Sequence, residues 1–140
     1  LNHDPLPQVD HTTAAAWQVG VGSVGSDDRQ AFPAHVRLQL VGALADAELR
    51  PRISGSVGVD LAFVAQGVYQ AAVSFSPYIW DNAAGVCLAR SAGANVSAPD
   101  GSAWTTDSVG VVIGTPSAHE MMLSSMKTVR ATPTPDPNTL

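Results

Sequence analysis

Short apolar, β-branched runs alternate along this chain with longer segments of helical periodicity, and this alternation constrains the fold more than any other feature. Residues 17–21 (WQVGV) and 69–75 (YQAAVSF) are predicted to be strands. Residues 109–113 (VGVVI) form a nearly continuous β-branched run, which is typical of a strand buried on both faces. Strands separated by helices predict an α/β domain with a partly parallel sheet.

The first two predicted helices carry clear start and stop signals. Residues 32–49 have apolar side chains at helical spacing, with Pro33 in the first turn. Ser56 is a candidate N-cap for a second helix, and Gly67 would supply the left-handed residue that ends it.

The last two helices are predicted from their capping residues. Asp81 is a candidate N-cap for a helix over residues 82–92, which Gly93 would end. Ser117 and Glu120 stand at capping-box spacing and predict the start of the final helix within residues 115–120.

Composition excludes several classes of protein. The chain has 140 residues, 45% of them hydrophobic, which is enough for one domain with its own core. A single cysteine, Cys87, rules out an internal disulfide or a cysteine-based zinc site, and its apolar neighbours predict a core position. The net charge is −5 and no lysine/arginine cluster is present, so we expect neither nucleic-acid binding nor an anionic-membrane partner.

The two ends of the chain differ from its centre. Residues 1–16 are predicted to be an irregular segment, 17–130 the α/β domain, and 131–140, with three prolines in alternation, a disordered tail. The chain begins at Leu1 without a secretory leader pattern, and its apolar runs are too short to span a membrane. We expect a fragment of a longer, soluble, cytoplasmic protein.

Neither the glycine-rich stretch nor the histidines predict a cofactor or metal site. Residues 20–25 (GVGSVG) fit a dinucleotide-binding pattern, but Asp27 and Asp28 follow where a phosphate would sit. We therefore predict a glycine-rich strand end in close backbone packing. The four histidines have no metal-binding spacing and are predicted to lie at the surface; they are His3, His11, His35 and His119.

Asp81 is the residue with the best chemical context. It follows the bulky Trp80 and precedes small residues at a predicted helix N-terminus, where the helix dipole favours an ionised acid. Such a carboxylate suits Mg²⁺, a hard cation that prefers oxygen ligands. Aspartate is also a preferred N-cap, so the residue pattern leaves capping and metal binding both open.

Two sequence elements resemble the inositol monophosphatase family. They are residues 55–67 (GSVGVDLAFVAQG) and 80–85 (WDNAAG), followed by SAGA at 91–94, and the resemblance extends over about residues 17–126. It implies the layered sheet and helices of the C-terminal half of the inositol monophosphatase-like sugar-phosphatase fold.

The resemblance also implies a chemistry and a set of site residues. The family comprises Mg²⁺-dependent phosphomonoesterases, usually dimeric, so a small phosphorylated substrate such as inositol monophosphate and a homodimer are expected. Asp81 matches a metal ligand that also orients a substrate hydroxyl, and Gly55, Ser56 and Val57 match a loop that contacts the substrate. Ser74 stands where the family often has a glutamate for the substrate ring. Histidinol phosphate, fructose bisphosphate and nucleotide 3′-phosphates therefore remain alternative substrates.

The family's other metal ligands do not occur in this chain. The Glu-Glu and Asp-Pro-x-Asp-Gly elements of the N-terminal half are absent from the 140 residues. One carboxylate does not make a two-metal site, so we expect the chain alone to be inactive and to need that missing half as a partner. A non-catalytic domain for dimerisation or binding is the alternative.

Overall fold

The computed structural model describes residues 3–6, 8, 17–25 and 31–131. In chain order the elements are β1 (Gln18–Val21), α1 (Ala34–Asp46), β2 (Arg50–Arg52), α2 (Val57–Ala65), β3 (Ala71–Ser74), α3 (Ile79–Ser91), β4 (Asn95–Ser97), β5 (Val111–Gly114) and α4 (Pro116–Ala131). Most of the predicted irregular segment and nearly all of the predicted tail lie outside the described residues. Among the helices that are described, none is long and apolar enough to cross a membrane.

The described strands form one mixed sheet in the order β2-β1-β3-β5-β4. β1 pairs in parallel with both β2 and β3, whereas β5 is antiparallel to β3 and β4. The predicted α/β class with a partly parallel sheet is therefore confirmed. β5 is buried along its whole length, as its continuous β-branched run predicts.

Helices cover both faces of the sheet and make three layers. On one face, α1 and α4 bury side chains such as Leu40, Leu44 and Met122 against Val19 and Val73. On the other face, α2 and α3 pack against the sheet with a second set of apolar side chains, Leu61, Val64, Val86, Ala89 and Ile113. Two cores of this kind cover a sheet that is apolar on both sides.

The predicted start of α3 and the predicted capping box of α4 are wrong, although α4 does begin within residues 115–120 as predicted. α3 begins at Ile79 with Tyr78 as its N-cap, so Asp81 lies in the first turn and does not cap the helix. α4 begins at Pro116, so Ser117 lies inside the helix and the predicted capping box does not form. Proline is suited to the first helical position because its φ is fixed and it needs no amide partner there.

The expected core position of Cys87 is also wrong, because its side chain is exposed. The apolar run over residues 83–89 is continuous in sequence, but only one stripe of α3 faces the sheet. That stripe holds Asn82, Gly85, Val86 and Ala89, at spacings of three and four residues. Cys87 lies off the stripe.

Helices α2 and α3 approach each other closely at Gly85. A Cβ built on this glycine would lie 2.5 Å from the Cβ of Leu61, which is fully buried. The absence of a side chain at Gly85 therefore allows the two helices to lie this close together. Both helices begin at the same edge of the sheet.

We expect Gly85→Ala to destabilise the domain by about 1–3 kcal/mol, because the added methyl group overpacks a filled contact. Gly42→Ala is the matched control, since that glycine is exposed inside α1 and nothing lies within 4 Å of its built Cβ. Gly42→Ala should leave stability unchanged or raise it by up to about 1 kcal/mol. Urea unfolding of both variants measures the difference, and equal effects would contradict this packing.

His119 corrects the expectation that the histidines lie at the surface. His3 and His35 are exposed and His11 lies outside the described residues, but His119 on α4 is buried. Its Nε2 lies 2.9 Å from the hydroxyl of Ser97 on β4. Because that hydroxyl donates to the carbonyl oxygen of Ala98, it accepts from the histidine, which fastens α4 to the edge strand.

Burial lowers the pKa of His119 below its ordinary value of 6.5, so the folded protein favours the neutral ring. The unfolded chain then binds more protons, and this contribution to stability is complete above pH 6.5 and is lost as the pH falls below it. Between pH 7.5 and 5, we expect His119→Gln to lose less unfolding free energy than the unmutated protein. His35→Gln, at an exposed site, should follow the unmutated protein; identical pH profiles for all three would exclude His119 as the cause.

Candidate active site at the ends of the parallel strands

A cleft of about 470 Å³ opens beyond the carboxyl ends of the three parallel strands. Its lining residues come from the segments that follow each strand: Gly22 and Ser23 after β1, residues 55–58 after β2, Phe75 and Ser76 after β3, and Trp80 and Asp81 on α3. β2 and β3 lie on opposite sides of β1, so the cleft sits where the strand order reverses. This is the usual position of ligand sites in open α/β sheets.

The first wall is the loop that leads into α2. Ser56 caps the helix, and its hydroxyl accepts from the amide of Val59 at 3.5 Å, which confirms the predicted N-cap. The hydroxyl of Ser54 accepts from the amide of Ser56 at 3.0 Å, and Gly55 has a φ of +79°, which favours glycine. The positive end of the helix dipole therefore faces the cleft and favours an anion.

The opposite wall carries the predicted acid. Asp81 is exposed in the first turn of α3, and the hydroxyl of Ser76 donates to its Oδ2 at 2.5 Å. The same hydroxyl accepts from the amide of Tyr78 at 3.2 Å, and the amide group of Asn82 donates to the carbonyl oxygen of Ser76 at 2.9 Å. These bonds fix the turn between β3 and α3 and hold the Asp81 carboxylate at the cleft.

Ser76 is a residue of the cleft that was not predicted from the sequence. It lies between a predicted strand and a predicted helix, five residues before Asp81, and a serine at that place carries no recognisable pattern. Only the folded turn brings its hydroxyl onto the carboxylate.

The floor of the cleft depends on glycines in and after β1. A Cβ on Gly20 would lie 3.1 Å from the Cβ of Asp60 on α2, and one on Gly22 would lie 2.9 Å from the ring of Phe75. The predicted close packing of the glycine-rich strand end is therefore confirmed. It lets α2 approach the sheet near the cleft.

Asp60 is a buried carboxyl behind the α2 loop. It is 2% exposed, and its Oδ1 has no hydrogen-bond partner among the described residues. Burial raises the pKa of Asp60, while a hydrogen bond from the Ser54 side chain acts in the opposite direction. The acid thus contacts the loop from within the domain and does not line the cleft.

An aromatic pair stands at the mouth of the cleft. The rings of Tyr78 and Trp80 are stacked, with centroids 4.8 Å apart and planes inclined by 10°. Trp80 is 73% exposed and lines the cleft, whereas Tyr78 supports it from one side.

The structure brings four of the five predicted site residues together. Gly55, Ser56 and Val57 line the same cleft as Asp81, which lies far from these three consecutive residues in the chain. Ser74 does not line it: the residue is 1% exposed, and its hydroxyl accepts from the amide of Ser76 at 3.2 Å. Ser74 supports the turn that carries Ser76.

The described residues do not form a complete metal site. No group of three or more histidine, cysteine, aspartate or glutamate side chains that could hold a cation occurs in the part of the chain that the structure describes. At the cleft the described residues offer one carboxylate, Asp81, beside hydroxyl groups and backbone amides. This donor set does not fit a resident magnesium centre by itself.

Comparison with known proteins places the chain in a family. Residues 1–131 match the inositol monophosphatase family. The chain belongs to this family. It is 40% identical over 123 residues to the inositol-1-monophosphatase ImpA of Mycolicibacterium smegmatis. The predicted membership is confirmed.

Solved structures of the family share the fold. The Thermotoga maritima IMPase matches with a TM-score of 0.75 at 19% identity, over 92% of this chain and 47% of that one. The inositol monophosphatase of Anabaena matches with a TM-score of 0.74 at 22% identity, over 91% and 50%. The predicted fold class is therefore confirmed. The M. smegmatis match covers 88% of this chain and 45% of the relative, so the chain spans about half the length of these proteins.

Ser76→Ala tests the turn that holds Asp81. We expect a loss of about 1–3 kcal/mol, because the variant removes a buried hydroxyl that bonds both the Asp81 carboxylate and the amide of Tyr78. The control is Ser102→Ala, which removes a comparable bond to Asp100 at 2.6 Å in an exposed turn and should cost no more than about 0.5 kcal/mol. Denaturant unfolding distinguishes the two, and a Ser76 variant as stable as the control would contradict the buried network.

Proposed function

We propose that this chain is part of a Mg²⁺-dependent phosphatase that hydrolyses a small phosphomonoester such as inositol monophosphate. The observation that carries the proposal is that the N-terminus of α2 and the Asp81 carboxylate face each other across one cleft. The helix N-terminus favours the phosphate group of a phosphate ester, and the carboxylate can accept a hydrogen bond from a hydroxyl on the rest of the substrate. Membership of the family supports the same chemistry.

The α2 wall would bind the phosphate group. The amides of the first helical turn and the helix dipole both favour negative charge, and Gly55 and Gly58 have no side chains to block it. The Ser56 hydroxyl is engaged in capping, so its main role would be to fix this turn. Val57 lines the cleft and would contact the substrate through its backbone.

Asp81 would serve both as a single cation ligand and as an acceptor for a substrate hydroxyl. Ser76 holds the carboxylate in place, which suits a ligand that must not rearrange on binding. Because the described residues supply one such carboxylate, the remaining ligands would come from a segment equivalent to the other half of the relatives. On this proposal the 140 residues alone are inactive.

Inositol monophosphate is the first substrate to test, because the M. smegmatis relative is named an inositol-1-monophosphatase. Ser74 supplies no carboxylate for a ring of hydroxyls and is buried outside the cleft. The exposed rings of Tyr78 and Trp80 stand at the mouth instead. Histidinol phosphate, fructose bisphosphate and nucleotide 3′-phosphates therefore belong in the same panel.

Asp81→Asn in the complete protein is the decisive variant. We expect kcat/KM for phosphate release to fall about a hundredfold or more at saturating Mg²⁺, because the proposed metal site loses one of its carboxylate ligands. Folding should persist, since Asp81 is exposed. Asp107→Asn, an exposed aspartate outside the cleft, is the control and should keep full activity. Unchanged turnover in the Asp81 variant would refute its role.

The presence of a single carboxylate in the described cleft also favours a second candidate, a non-catalytic domain for dimerisation or binding. Size-exclusion chromatography with light scattering on the complete protein separates the two candidates when it is run beside the phosphatase assay. A homodimer with Mg²⁺-dependent turnover supports the enzyme. A protein that hydrolyses no ester in the panel and binds no Mg²⁺ by calorimetry supports the second candidate.

A further inference from the structure

Arg37 is a charged side chain in the interior of the domain. It lies on α1 and has no exposed surface, and it is the bulkiest of the fully buried side chains. It occupies the same helix stripe as Leu40 and Leu44, three and seven residues further on, where an apolar side chain would suit the core. A buried guanidinium is costly unless its N–H groups are bonded, so its contacts indicate what it does.

The guanidinium of Arg37 donates to two backbone carbonyl groups of one loop. Nη1 lies 2.5 Å from the oxygen of Ser23, and Nη2 lies 2.9 Å from the oxygen of Gly25. The two acceptors are two residues apart, so the planar group spans the loop as a fork. A lysine ammonium, which acts as a point charge, does not reproduce this geometry.

The loop that Arg37 holds is the wall of the cleft that follows β1. Gly22 and Ser23 line the cleft, and the amide of Gly22 continues the sheet by donating to the carbonyl oxygen of Val73 at 2.9 Å. Beyond Gly22 the loop leaves the sheet, and Ser23 and Gly25 are exposed on the solvent side. The Arg37 fork therefore anchors to α1 the part of the wall that the sheet no longer holds.

We propose that Arg37 is a positioning residue that fixes the Ser23 wall of the cleft for substrate binding. This inference rests on the proposed function, because it takes the cleft as the substrate site. Arg37 itself lies outside the cleft lining and acts through the two carbonyl groups. Loss of the fork would loosen one wall while leaving the α2 loop and Asp81 in place.

The test uses the complete protein with Arg37→Lys, Arg37→Met and the control Leu40→Ala. Leu40 lies three residues further along α1 and is 1% exposed, so its truncation costs stability without touching the loop. We expect both Arg37 variants to raise KM by about tenfold, as expected for losing a charge-assisted bond, with kcat changed less than about twofold. Leu40→Ala should lower thermal stability and leave KM unchanged.

Backbone ¹⁵N relaxation gives a readout that does not depend on activity. In the unmutated protein, order parameters of residues 23–25 should be near 0.85, as in rigid backbone, and in Arg37→Lys they should fall below about 0.6. Leu40→Ala should keep the high values. The proposal is overturned if residues 23–25 are already mobile in the unmutated protein. It is also overturned if these residues stay rigid in every Arg37 variant that folds.

The two proposals fail in different ways. An inactive unmutated protein whose wall loosens only on Arg37 substitution refutes the phosphatase and keeps Arg37 as the anchor of the wall. An active protein whose KM and order parameters are unaffected by Arg37→Lys refutes the positioning role and keeps the phosphatase.

Discussion

The candidate site depends on the parallel pairing of β1 with both of its neighbours. Parallel strands end at the same edge of the sheet, so the segments after β1, β2 and β3 meet there although they are separated by whole helices. The antiparallel strands β4 and β5 complete the sheet without contributing to the cleft lining. The parallel part of the sheet creates the cleft, and the antiparallel part completes the core.

The second physical requirement of the site is that α2 packs close to the sheet and α3 packs close to α2. Gly20 lets α2 lie near the sheet, and Gly85 lets α3 lie near α2. These contacts set where the N-termini of α2 and α3 stand, the first as the proposed anion-binding wall and the second as the support of Asp81. Buried polar groups then fix the details, because a buried group with good hydrogen bonds has few alternative positions. Ser76 and Arg37 act in this way on two different walls.

Much of the fold could be predicted because it follows from local patterns. Strands β1, β3 and β5 match the predicted strands, whereas β2 was not predicted; Ser56, Gly67 and Gly93 mark helix ends as expected. The predicted start of α3 and the predicted capping box of α4 were wrong because aspartate and serine suit both a cap and a first turn. Cys87 and His119 were assigned to the wrong environment because burial depends on which helix face meets the sheet, and an apolar run does not reveal that face.

The sequence by itself determined the α/β class, and its similarity to inositol monophosphatases determined four residues of the candidate site. These properties rest on periodicity, capping and motif spacing, which are local along the chain. Only the tertiary structure decided that Ser76 holds Asp81, that Ser74 lies outside the cleft, and that Arg37 anchors the Ser23 wall. Each of these depends on the direction of a side chain across a packed interface, and that direction is set by the helices and strands around it.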